Sequence, residues 1–386
     1  MQLSEDQEKA LALLLAWYKD PERSRFITLG GYAGTGKTTL IAVLKNELAR
    51  LDQSLKFAFC SYTGKAAQNL KNKLKEAGAL CVKDSVSTIH GLIYTPRENG
   101  EGRITGWDRR DALERGLIIV DEASMVDGLI WTDLLSYNIP IIAVGDHGQL
   151  PPIAGNFNLM RAPEILLTQI HRQARDNPII KVSEYARSAG LVPPRKYGAG
   201  VVKYLKEDCD AQEKTGELLE SYSPDTLILC GYNSTRNKIN QFIRASRGFE
   251  TPSPAGGDRV ICLRNNHRKG ICNGMLGTLE SITPARKDWH DAVIRLDDRE
   301  KLYEGLIYAP QFGAGPGVNF TADRRLAAIG DLFDFGYALT VHKAQGGQAR
   351  RVVMFEERFA RMDDEMWRRW LYTGVTRAEE ELYLFG

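Results

Sequence analysis

Short apolar runs that stop at glycine, serine or an acid recur through the first half of the chain. "FITLGG" (26–31), "FAFCS" (57–61), "LIIVDE" (117–122) and "IIAVGD" (141–146) show almost no polar alternation. A strand with one wet face alternates; a run apolar throughout is buried on both faces, as in a parallel sheet covered by helices. Helical segments separate these runs. "LSEDQEKALALLLAWYKD" (3–20) opens on a capping box, Ser4 with Gln7 three residues on, and Pro21 closes it. The pattern predicts an α/β domain over residues 1–165. Inside it "LIYTPRENGEGRITGW" (92–107) breaks the rhythm: two β-like runs flank Asn99-Gly100, predicting a small hairpin insertion at about 91–112. Residues 166–386 repeat the α/β pattern, with "PDTLILCGYNSTRNKINQFIR" as strand, loop and helix, and with "DFGYALTVHKAQGGQARRVVMF" and "EELYLFG" as further strands. Between them, from about 253 to 332, β-rich and glycine-punctuated stretches predict an inserted small β-domain, with 311–324 as loop.

Composition narrows the class. At 386 residues the chain is expected to form more than one domain, and its 43% hydrophobic and 26% charged content is that of a soluble globular protein. The balance of 51 basic against 49 acidic residues gives no bulk signature of nucleic-acid binding, although a basic groove can hide in a balanced total. The longest apolar stretch, residues 10–18, falls short of the roughly 20 residues of a membrane span, and the polar N-terminus lacks the order of a secretory signal. No C-x-x-C pair occurs among the six cysteines, and the six histidines show no paired ligand spacing. A cytoplasmic protein with free thiols, and no metal beyond nucleotide-bound magnesium, is expected.

"GYAGTGKT" (31–38) fits G-x-x-x-x-G-K-[ST] between a predicted strand and helix, the context a phosphate-binding P-loop requires. Its glycines let backbone N–H groups close on phosphates at a helix N-terminus. Gly34, Thr35, Gly36, Lys37, Thr38 and Thr39 would line the nucleotide, with Lys37 on the β- and γ-phosphates and Thr38 on magnesium. In "IIVDEAS" (118–124), Asp121 is placed to hold magnesium through water and Glu122 to orient the attacking water. ATP and Mg2+ are therefore the expected cofactors.

A P-loop does not name the work that hydrolysis drives. "GGYAGTGKTT", "SYTGKAAQNL", "STIHGL", "IIVDEASMV", "VGDHGQLPPI", "LLTQIHRQ", "TVHKAQGG" and "LYTGVTRAEEELYL" stand in the order seen in superfamily 1 helicases, which this chain resembles from Gln7 onward. "GDHGQLPP" and "VHKAQG" look most like the branch containing RecD, the Pif helicases and the small phage helicase Dda. The resemblance implies an α/β fold of two RecA-like parallel-sheet motor domains, with a β-hairpin insertion in the first and an SH3-like β insertion in the second. It also implies that Gln149 detects the γ-phosphate, helped by Asp146 and the stiff Pro151-Pro152 corner, and that Arg172 and Arg377 approach that phosphate from the second domain. Gln345 and Gly346 would line the nucleotide. Gln7 would either read adenine or serve only its capping box.

Nucleic-acid contacts implied by the resemblance are Thr63, Lys65, Thr88, His90, Asn233, Arg236, Thr340, His342 and Lys343. Without it, such loop residues would as readily cap helices. A strand-separating pin would carry Ile104 or Trp107, though Trp107 could instead anchor the hairpin base. Gln348 stands where many relatives carry a glutamate that meets the nucleotide sugar, so preference for ATP over dATP stays open. The expected activity is ATP-dependent, 5′-to-3′ unwinding of DNA by a monomer acting on single strands and duplex junctions, with replication or recombination proteins as possible partners. An RNA helicase and a nucleic-acid-gated ATPase switch remain as alternatives. A P-loop kinase would leave the Gln149 and His342 motifs without a purpose.

Overall fold

The computed structural model describes residues 3–98, 104–152, 157–170, 177–266, 269–297, 299–314 and 329–386. The chain divides into two compact units, residues 1–180 and 181–386.

In the first unit, helix α1 (Glu5–Lys19) precedes β1 (Phe26–Gly31), α2 (Lys37–Leu51), β2 (Phe57–Ser61), α3 (Gly64–Glu76), β3 (Ser85–Thr88) and α4 (Ile89–Ile93). Strands β4 (Tyr94–Glu98) and β5 (Ile104–Arg109) follow, then β6 (Leu117–Asp121), α5 (Gly128–Leu135), β7 (Ile141–Gly145) and β8 (Ile165–Leu167). Six of these strands form a sheet in the order β3-β2-β6-β7-β1-β8, parallel at every pairing. Its strands are apolar throughout because both faces are covered. Phe57, Phe59, Leu117 and Ile119 pack with α1, α2 and α3 on one side, while Ala58, Cys60, Ile118 and Val120 pack with α4 and α5 on the other. Each fully buried large side chain of this kind contributes roughly 1.5–3 kcal/mol.

The expected boundary at residue 165 falls inside this sheet, because Ile165–Leu167 bonds in parallel to Leu29–Gly31. The division lies instead between Ile180 and Lys181, in the first turn of helix α6 (Pro178–Ala189). β4 and β5 pair with each other as a separate antiparallel ribbon, Tyr94 opposite Arg109 and Pro96 opposite Trp107. The Asn99-Gly100 turn expected to join them lies outside the described residues.

The second unit runs β9 (Arg195–Gly198), β10 (Val201–Tyr204), α7 (Cys209–Glu220), β11 (Thr226–Cys230) and α8 (Asn233–Ser246). Five strands then alternate with turns: β12 (Arg259–Cys262), β13 (Leu276–Arg286), β14 (Trp289–Leu296), β15 (Tyr303–Tyr308) and β16 (Phe333–Phe335). The unit closes with β17 (Ala338–Thr340), β18 (Ala349–Phe355), α9 (Asp364–Val375) and β19 (Ala378–Phe385). One sheet has the order β17-β11-β18-β19-β10-β9, and a second, antiparallel sheet has the order β15-β14-β13-β12-β16. Only β9 is antiparallel in the first of these.

Within the stretch expected to supply strands from Asp334 onward, the run "DFGYALT" is divided between two strands in different sheets. Phe333–Phe335 pairs with β12 and Ala338–Thr340 with β11, so the antiparallel sheet reaches past residue 332. Gly336 marks the crossing, because a Cβ there would stand 2.8 Å from the Val260 carbonyl carbon. Helix α8 joins the two sheets through a polar stripe at i, i+4 and i+8. Arg236 donates to Asp334 on β16 at 2.9 Å. Asn240 accepts from Ala338 N–H at 2.8 Å. Arg244 holds Asp258 through two bonds, of 2.8 and 3.1 Å. All three are buried.

Candidate functional site

The P-loop follows β1. Gly34 and Gly36 adopt left-handed backbone (φ 81° and 72°), which glycine reaches at no steric cost and which turns successive N–H groups toward one point ahead of α2. Gly36 is the N-cap of α2, and Lys37, Thr38 and Thr39 begin its first turn. Lys37 donates to the carbonyls of Gly31 at 2.7 Å and Tyr32 at 3.0 Å. The Thr35 hydroxyl donates to Tyr32 O at 2.8 Å. Gln7 is fully buried, and its amide N–H groups donate to Thr35 O and Gly36 O, both at 3.2 Å, while its oxygen accepts from Ser4 N–H at 3.0 Å. The structure thus gives Gln7 its capping role and adds a brace under the P-loop. Nothing in the sequence pointed to that brace, nor to Asp6, which accepts from the N–H groups of Thr168 and Gln169.

Asp121 ends β6, the third strand from the β3 edge of the sheet, with only β7 between it and β1. Burial raises its pKa, opposed by the Glu122 backbone N–H and by the Lys37 and Lys73 ammonium groups. Glu122 is one of three described non-glycine residues with left-handed backbone, at φ 52° and ψ 41°. That conformation costs of order 1 kcal/mol or more, and it survives where the surroundings over-determine it. Thr38, in the first turn of α2, carries a hydroxyl and Asp121, at the end of β6, a carboxylate, hard oxygen donors of the kind a nucleotide-borne magnesium ion takes, so these residues would fit that ion.

"GDHGQLPP" forms a tight turn after β7. The Asp146 carboxylate accepts from Gly148 N–H at 2.9 Å, and its carbonyl accepts from Gln149 N–H at 3.2 Å. The acid that ends the apolar strand is therefore the turn's internal brace, and Gln149 is presented from it, 4% exposed. β1, β6 and β7 all release these residues at the C-terminal edge of the parallel sheet, where α/β proteins bind ligands.

The same edge carries the first group of nucleic-acid candidates. Thr63, after β2, caps α3 by accepting from Ala66 N–H at 3.2 Å, and Thr88, at the end of β3, caps α4 by accepting from Gly91 N–H at 3.0 Å. His90 is half-buried and its ring lies 5.0 Å from that of Tyr94; burial lowers its pKa, with Asp127 pulling the other way. Lys65 is half-buried in the first turn of α3.

In the second unit Thr340 ends β17 and is buried, while His342 is half-buried with its pKa lowered by burial. Lys343 and Asn233 present exposed side chains. Arg236 is a correction: it is 2% exposed and engaged with Asp334, so it is not placed to reach a phosphate backbone. A residue that sequence reasoning missed is Glu357, whose carboxylate accepts from Gly231 and Tyr232 N–H at the start of α8. Arg377 is 3% exposed and donates to Thr373 O at 3.0 Å, Gly347 O at 3.1 Å and the Thr376 hydroxyl at 3.2 Å. It thereby fastens the segment holding Gln345 and Gly346, of which Gln345 is buried and Gly346 has a φ of 75°. Arg172 lies outside the described residues. Of the two pin candidates, Trp107 on β5 is 37% exposed and so is not a core anchor; Ile104 opens the same strand.

Comparison with known proteins matches residues 19–155 to an AAA domain family and residues 335–385 to the UvrD-like helicase C-terminal domain. The chain is 26% identical to the ATP-dependent RecD2 DNA helicase of Deinococcus radiodurans, over all of this chain and 49% of that protein. It is 28% identical to the RecBCD enzyme subunit RecD of Haemophilus influenzae, over 94% of this chain and 67% of the relative. The chain thus spans about half the length of the Deinococcus relative. Among solved structures it is similar to a Pif1 helicase from Bacteroides in complex with ADP-AlF3 and single-stranded DNA, with a TM-score of 0.57 and 18% identity over 100% of this chain and 92% of that one. The Pif1 helicase of Candida albicans gives 0.51 and 17%, over 100% and 94%. These structural likenesses, with the two mainly parallel sheets, establish an α/β RecA-like helicase fold. With P-loop, DEAS, GDHGQLPP and HKAQG motifs in order and family-model matches at both ends, the chain is similar to the RecD and Pif1 helicases of superfamily 1.

Proposed function

We propose that this chain is an ATP-dependent DNA helicase that translocates 5′ to 3′ on single-stranded DNA and opens duplex junctions. The observation that carries the reading is the grouping of Lys37, Asp121–Glu122 and Gln149 after three neighbouring parallel strands, a hydrolysis site with its own γ-phosphate reporter. Lys37 exchanges its carbonyl partners for phosphate oxygens. Glu122 orients the attacking water. Gln149 donates to, or accepts from, what occupies the γ position. Magnesium, held with ATP by Thr38 and Asp121, would neutralise charge between the β- and γ-phosphates. Arg377, buried and bonded to the Thr373 and Gly347 carbonyls, would have to leave both to take the charge-stabilising role its motif implies.

Thr63, Thr88, His90, Asn233, Thr340, His342 and Lys343 supply hydroxyl, amide, imidazole and cationic groups suited to a sugar-phosphate backbone read without sequence preference. Choice of DNA is supported by relatives named ATP-dependent RecD2 DNA helicase and ATP-dependent DNA helicase Pif1, while the direction rests on the motif resemblance. The β4–β5 ribbon, with exposed Trp107, is the pin in this reading, and the five-stranded antiparallel sheet is the SH3-like insertion. The experiment is ATP hydrolysis with added single-stranded DNA or RNA, then unwinding of duplexes tailed at either end. Stimulation by DNA and opening of 5′-tailed duplexes is expected. Stimulation by RNA alone would favour an RNA helicase, and stimulation without unwinding a gated switch.

A further inference from the structure

Two aromatic residues that no motif requires meet beside the nucleotide site. β1 and β7 are parallel neighbours, with Gly30 opposite Gly145. Tyr32 and His147 each follow two residues after that pair, so the strands release them at the same level. Their rings meet with centroids 4.2 Å apart at 45°, and both side chains are half-buried. Each sits in a loop of consequence. The Tyr32 carbonyl accepts from Lys37 at 3.0 Å and from the Thr35 hydroxyl at 2.8 Å. His147 occupies the outer corner of the turn that Asp146 braces through Gly148 and Gln149 N–H.

We propose that the Tyr32–His147 ring contact is a positioning device that passes phosphate occupancy of the P-loop to the turn presenting Gln149. The inference rests on reading Gly31–Thr38 as a nucleotide site. A phosphate oxygen is a charged acceptor and competes for Lys37 more strongly than a carbonyl does. When Lys37 leaves, the Tyr32 peptide loses one of its donors and resettles. Its ring cannot resettle alone, because close-packed groups transmit displacement instead of absorbing it. The His147 ring moves with it. The two short bonds across Asp146 make the turn follow as a unit, so the Gln149 amide is re-aimed from inside its own domain.

The test is amide hydrogen exchange on the full chain, with and without a non-hydrolysable ATP analogue and magnesium. In the wild type, the analogue is expected to slow exchange over both 33–39 and 146–150. In Tyr32→Ala and in His147→Ala the 33–39 response persists, which also reports an intact fold, while the 146–150 response falls about fivefold or more. The double variant loses no more than either single one, and Tyr32→Phe, which keeps the ring, retains the response. A wild-type 146–150 segment indifferent to the analogue would overturn the proposal. So would Tyr32→Ala with its 146–150 response intact, or additive losses in the double variant. If the analogue also leaves 33–39 unchanged, the nucleotide-site reading falls together with this inference. If it binds but DNA does not stimulate hydrolysis, the helicase reading falls alone and exchange still decides the ring contact.

Discussion

Glu122 is held in left-handed backbone directly after Asp121, which aims its carboxylate differently from a residue that merely continues β6. If that carboxylate orients water, Glu122→Gln should lower turnover about a hundredfold or more while ATP and DNA still bind; assays of hydrolysis and of equilibrium binding on one preparation check both halves. The histidines carry a different signature. Burial holds the pKa of His90 and of His342 below the ordinary 6.5. The unfolded chain therefore binds protons that the folded chain refuses. Their contribution to stability is complete above pH 6.5 and is lost as pH falls from there toward the lowered folded values. Urea midpoints at pH 7.5, 6 and 5 should decline across that window, and His342→Gln should flatten the decline.

At the scale of elements, helix α8 behaves least as its sequence suggests. Arg236, Asn240 and Arg244 lie on one face, and the motif resemblance implies that Arg236 meets nucleic acid. The stripe is instead buried against the Asp258 and Asp334 carboxylates and the Ala338 N–H, two of these partners 98 residues away. Such pairings are non-local and leave no local pattern. Removing one partner strands a buried charge, so Asp334→Ala should cost about 3–5 kcal/mol in chemical denaturation, with much of it recovered in Arg236→Met/Asp334→Leu. What was legible had local causes. The two-sided burial of β2 and β6 shows as unbroken apolar runs, the P-loop shows as glycines before a helix, and the α1 capping box shows as Ser4 and Gln7. The split of "DFGYALT" did not show, because both of its halves are equally apolar and only the contact at Gly336 separates them.

For the whole molecule, strand order is what gathers the chemistry. Residues from positions 34 to 149 converge at one edge of the first sheet because β1, β6 and β7 are neighbours there, an adjacency that the linear order β1-β2-β3 hides. The motifs were readable one by one, and their neighbourhood was not. The β4–β5 ribbon stands apart from that sheet and leaves Trp107 exposed. Base stacking on an aromatic face is worth roughly 1–3 kcal/mol. Trp107→Ala should thus slow strand separation severalfold in a fork-unwinding assay while DNA-stimulated hydrolysis continues. Equal loss of both activities would mark Trp107 as structural.

The arginine stripe on α8 also sets a rule for anyone who trades modules among chains of this fold. Cutting out residues 258–335 would remove Asp258 and Asp334 and leave Arg236 and Arg244 pointing at whatever is grafted in their place. A graft without matching acids should come out insoluble unless both arginines are first made apolar. The borrowed unit is therefore the sheet together with its helix, not the sheet alone.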